Sequence, residues 1–85
     1  MNKTEFYCEP IDAASTIDTQ GQTTLQQITW RERQYTIVSL GRQWDDADGR
    51  HLLAEAVDGT RFELHLQRET LIWFVRKVWR TLITV

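Results

Sequence analysis

The chain is short of the residues that most often declare a chemistry. It has one cysteine, two histidines, one proline and four glycines in 85 residues. A lone Cys8 rules out an intramolecular disulfide scaffold and suits a reducing, cytoplasmic setting. With His51 and His65 it completes the set of soft ligands, and neither Cys-x-x-Cys nor His-x-x-x-His spacing occurs. No metal site is expected. Asp46-Ala47-Asp48-Gly49 has the look of part of a calcium loop, but aligning Gly49 on the required glycine puts Trp44 at the first ligand position. The glycines stand singly at 21, 41, 49 and 59, so no glycine-rich cradle for phosphate exists. Ser15 and Ser39 lack a Gly-x-Ser-x-Gly elbow. Glu5 and Glu9 flank Cys8 and disfavour its thiolate. No enzyme and no cofactor are expected. No apolar run is long enough to span a bilayer as a helix, which takes about 18 residues or more. The start, Met1-Asn2-Lys3-Thr4-Glu5, leads into no apolar segment of secretory type.

What is present is the composition of one small globular domain, residues 1–85. Apolar residues make up 41% and charged residues 26%, which argues against disorder. The net charge of −2 does not favour a polyanion. Charge is uneven, however. Arg61, Arg68, Arg76, Lys77 and Arg80 face only Glu63 and Glu69 in the C-terminal third, which also holds Trp73 and Trp79.

Strand-forming segments recur along the chain. They are residues 5–8, 25–30, and 35–40 with a continuation toward Trp44, and Gly41 suits a bulge or bend. Residues 12–24 hold a single large apolar residue, Ile17, and read as a long mobile loop. Residues 45–49 are a loop by composition. Asp58-Gly59 between apolar runs predicts a two-residue hairpin turn. That register places Val57, Phe62, Leu53, Leu64 and Leu66 on the core face, with Glu55 and His51 among them. Ala54, Ala56, Leu52 and His65 fall on the wet face. Glu55 would then pair with an arginine such as Arg31 or Arg33.

The last segment admits two readings. Leu71, Phe74, Val75, Val78, Leu82 and Val85 follow helical spacing, yet residues 71–79 are β-branched and aromatic. The strand is preferred. It sets Ile72, Phe74 and Val78 against Leu71, Trp73, Val75 and Trp79. The expected fold is all-β: an antiparallel meander of about six strands curled into a barrel or half-barrel.

Ile28-Thr29-Trp30-Arg31-Glu32-Arg33-Gln34-Tyr35, then Trp44, Gly59-Thr60-Arg61-Phe62-Glu63-Leu64, and the Trp73 to Trp79 segment form a pattern. It resembles a family of small bacterial domains of unknown function. These carry a Trp-Arg-x-Arg-x-Tyr run, a Gly-x-x-Phe-Glu-Leu hairpin and a final Trp-containing strand. Some lie near genes for a Y-family translesion DNA polymerase. The likeness covers about residues 25–80. Glu32 departs from it, standing where glycine is common, as does the long polar stretch 12–24. The resemblance implies a small all-β cytoplasmic domain with a DNA-repair context.

Trp30, Arg31 and Arg33, and Trp73, Arg76, Lys77, Trp79 and Arg80, interleave aromatic and basic residues. They form the candidate interaction surface. Three readings apply: core tryptophans covered by arginine stems, a protein-binding hot spot or homodimer face, and a single-strand nucleic-acid platform. A protein partner or a second copy is preferred, with an accessory nucleic-acid domain as the alternative. No membrane role is expected of the strand form.

Overall fold

The computed structural model describes residues 2–81. Its six strands are β1 (Asn2–Ile17), β2 (Thr23–Trp30), β3 (Arg33–Asp46), β4 (Gly49–Ala56), β5 (Arg61–Gln67) and β6 (Trp73–Thr81). Each pairs antiparallel with the next, and β1 pairs with β6, which closes a barrel. The all-β meander read from the sequence is therefore the fold. Its two long strands each serve two neighbours. The first part of β1 lies along β6 and the remainder along β2. Arg33–Thr36 of β3 pair with β2 and the rest with β4. β6 has β1 on one side and β5 on the other, so a second copy cannot add a strand to it.

Strand side chains alternate between faces, so one extra residue swaps the faces from that point on. Here such irregularities recruit the core. On β2, Thr23 and Leu25 point inward, the register slips, and Ile28 and Trp30 then point inward. On β6, a slip at Arg76 lets both Val75 and Val78 face the interior. On β3, Ile37, Leu40 and Gln43 lie opposite Ala56, Ala54 and Leu52, with an extra residue in each interval. Phe62, Ile28, Leu52, Leu64, Val75 and Val78 are fully buried. The Phe62 ring meets Trp30 and Tyr35 edge-on, with centroids 6.2 and 5.0 Å away.

Several expectations are corrected. Residues 12–17 are strand rather than mobile loop, paired with 23–29 as a two-stranded arm. The connection is only residues 18–22, where Asp18 Oδ1 accepts from the amides of Gln20 and Gln22, both at 2.9 Å. Backbone hydrogen bonds and β-branched threonines order this ribbon with little apolar burial. The arm is also held from the side. Gln43 exchanges hydrogen bonds with the backbone of Thr23, and Arg50 donates to the Gly21 carbonyl and the Thr23 hydroxyl.

The β4–β5 hairpin is shifted by one residue from expectation. Gly59 N–H donates to Ala56 O at 2.9 Å and Ala56 N–H to Thr60 O at 2.8 Å. Gly59 carries a φ of 90°, which only glycine adopts freely. The loop is thus Val57-Asp58-Gly59, one residue longer than the two-residue turn. Leu52, Ala54 and Ala56 accordingly line the core, while His51, Leu53 and Glu55 face outward and Val57 is exposed. The two-residue turn with φ positive at both positions occurs instead at Arg31 (53°) and Glu32 (64°).

The β6 faces are corrected too. Trp73, Val75 and Val78 share the inner face, Leu71 and Ile72 precede the strand, and the strand reading displaces the helix. Leu82 and Val85 lie outside the described residues.

Two stability measurements follow. Phe62→Ala should lower unfolding free energy by about 3–5 kcal/mol, the cost of a core cavity of that size, in denaturant melts. Glu32→Gly should raise it by about 0.5–1 kcal/mol, since left-handed backbone costs a side chain roughly 1–2 kcal/mol and glycine returns part of that as chain entropy.

Candidate functional site

The eight residues of the candidate surface do not form one surface. Trp30 and Trp73 are 3% and 6% exposed and belong to the core. The Trp30 indole donates to Glu9 Oε1 at 2.8 Å, so its polar edge is satisfied where it is buried. The Tyr7 ring meets it edge-on at 5.0 Å. The Arg31 guanidinium lies over both rings, 4.7 Å from Tyr7 and 4.9 Å from Trp30, and grips Glu9 through two hydrogen bonds of 3.1 and 2.8 Å. Arg80 reaches the Trp30 ring at 5.6 Å and stands 3.4 Å from Glu5 as a charge contact without a hydrogen bond. Glu5 also accepts from the Tyr7 hydroxyl. Trp30, Arg31 and Arg80 thus come together, as arginines covering a core tryptophan.

The other cations are largely balanced as well. Arg33 pairs with Asp58 at 3.1 Å and lies over Tyr35. Lys77 stands 3.7 Å from Glu63 and 5.7 Å from the Phe6 ring. Arg76 is exposed at the irregular turn of β6. Four of the five cations of the candidate surface, namely Arg31, Arg33, Lys77 and Arg80, already face carboxylates.

Trp79 is different. It is only half-buried, on the outer face of β6, and lies beside a surface cleft of about 460 Å³. Register explains the cleft. Ser39, Glu55, Arg61 and Trp79 are successive cross-strand neighbours over β3, β4, β5 and β6. Ser39 is small and Gly41 has no side chain, so β3 leaves a hollow beside Leu53 and Trp79. Glu55, expected in the core, instead stands 3.8 Å from Arg61 at the margin. Phe6, 72% exposed, extends the apolar surface past Lys77. Sequence reading missed Leu53, Ser39, Gly41 and Phe6, because the one-residue hairpin slip turned Leu53 outward and the pairing of β1 with β6 carries no sequence mark.

The histidines were also misplaced. They sit directly opposite each other on one outer face, with ring centroids 4.2 Å apart, rather than on opposite faces. Among the described residues, no group of three or more His, Cys, Asp or Glu is arranged to hold a metal ion. Among the described residues no helix is long and apolar enough to cross a membrane.

No family model, curated protein or solved structure matches the chain.

The Arg31 hydrogen bonds, with that of Trp30, lower the Glu9 carboxyl from 4.5 to about 2. A depressed carboxylate stabilises the fold fully above its unfolded value and loses that contribution as pH falls toward its folded value. Denaturant melts between about pH 5 and pH 2 should show a stability loss that is shallower in Glu9→Gln.

Proposed function

We propose that this chain is a non-catalytic, cytoplasmic interaction module that binds a protein partner. The partner seats a large apolar side chain in the cleft between Leu53 and Trp79. The observation that carries this reading is the half-buried Trp79 beside a hollow left by Ser39 and Gly41. A protein-binding hot spot is typically such an aromatic in a pocket ringed by weaker contacts. Here the charges at the rim are balanced, Arg61 by Glu55 and Arg80 by Glu5. A balanced rim around an apolar centre suits a protein surface better than a phosphate backbone, which calls for uncompensated cations.

The partner docks on the sheet face, since β4 and β6, which carry Leu53 and Trp79, have a strand on either side. The resemblance to bacterial domains near translesion polymerase genes makes a repair protein one source of such a partner.

A random-peptide phage library is the first probe. Selected peptides should carry a large apolar side chain and shift the Trp79 indole N–H in ¹⁵N-HSQC spectra while leaving Trp30 unmoved. Trp79→Ala should weaken them about tenfold or more. Peptides indifferent to Trp79→Ala would overturn the assignment. Indole shifts with single-stranded DNA at about 50 mM salt that vanish at higher salt would put a nucleic-acid role in its place.

A further inference from the structure

The proposed partner cleft leaves unused a second feature of the outer face, an aromatic stack that contains both histidines. Trp44 and His51 stack nearly parallel, with 5.3 Å between centroids and 8° between planes. His51 then stacks on His65 at 4.2 Å and 27°. Phe74 of β6 lies opposite His65, continuing the row. The two imidazoles are only 9% and 5% exposed. The Nδ1 atoms of both are buried without a hydrogen-bond partner.

The charges around the pair are few and uneven. Asp46 of β3 meets His51 Nε2 at 2.7 Å with one carboxylate oxygen. Its other oxygen accepts from the amides of Asp48 and Gly49, at 2.8 and 3.1 Å, and so shapes the β3–β4 turn. Arg76 of β6 bears on His65 as a like charge, and the Arg50 backbone hydrogen-bonds it. Arg50 turns its own side chain to Asp45 and to the β1–β2 arm. Arg68 donates to the Asp46 carbonyl, and Arg42 covers Trp44. One carboxylate, that of Asp46, therefore touches the stack, and it does so at His51. A charge on His65 would lie near Arg76 with no anion in contact among the described residues.

We propose that the His51–His65 stack is a proton-operated catch: intact at neutral pH, it fixes the β3–β4 tip that grips the β1–β2 arm, and a proton on His65 opens it. The link to the arm is direct in sequence and space. Arg50, next to His51, and Gln43, next to Trp44, make the side-chain hydrogen bonds that hold Gly21 and Thr23. Burial, and after it the neighbouring His51, push His65 below its ordinary 6.5. A histidine lowered in the fold stabilises it fully above the unfolded value and ceases to do so as pH falls through the folded one. The catch therefore holds at pH 7 and opens below about pH 6.5.

The test follows amide exchange of Thr23 and Leu25 from about pH 7 to about pH 5, corrected for intrinsic rates, beside the ring signals of both histidines. Opening should speed exchange about tenfold or more over that range, in step with His65. His65→Phe keeps a ring in the stack without a titrating group and should hold the arm's exchange constant. If its packing proves unsound, His65→Gln serves the same purpose. Arm exchange that is flat in the parent chain, or that changes identically in both variants, overturns the proposal. So does titration of His65 with no change at Thr23.

Discussion

Closure of β1 onto β6 is the constraint on which the rest of this molecule depends. A small sheet left open would present two edges of unpaired backbone, and closing it removes both. Six strands can close only if they bend and turn their faces, and the register slips on β2, β3 and β6 supply this. Each slip also reassigns which side chains are inside. The core of Phe62, Ile28, Leu64, Val75 and Val78 is thus set jointly by hydrophobicity and by where the strands are irregular.

Closure has an electrostatic counterpart. Around the inner end of β1, Glu5 and Glu9 meet the arginines that cover Trp30. Carboxylates from the N-terminal strand thus balance cations that, read along the chain, seem available for a ligand. What remains on the outer face is a row of aromatic and apolar groups with paired charges between them: Trp79 and Leu53 at the cleft, and Trp44, His51, His65 and Phe74 nearer the β3–β4 tip. The two halves of this face differ in chemistry. The cleft is open and charge-balanced, whereas the stack is buried and contains its own titrating groups.

The class of fold was legible because alternating and β-branched segments punctuated by turn residues leave few alternatives to a meander. Even the ambiguity over β6 has a physical origin. Val75 and Val78 are three apart, a helical spacing, because the slip at Arg76 puts both inside one strand face. The arm was illegible because its order comes from backbone pairing and from Gln43 and Arg50, not from apolar side chains. The candidate site was legible only in part. Trp79 is where a binding residue could be, while Trp30 and Trp73 are core, and local sequence marks all three alike.

By itself, then, the sequence determined the all-β class, the absence of a disulfide scaffold and the presence of an aromatic, basic C-terminal third. These follow from composition and local propensity, which each segment carries alone. Only the tertiary structure decided which face each side chain occupies, which carboxylate neutralises which arginine, and that His51 and His65 stack. A single added loop residue at Asp58-Gly59 swaps the faces of β4 against β5, and ion pairs across β1 join residues far apart in the chain. Both depend on register and closure, which no single segment encodes.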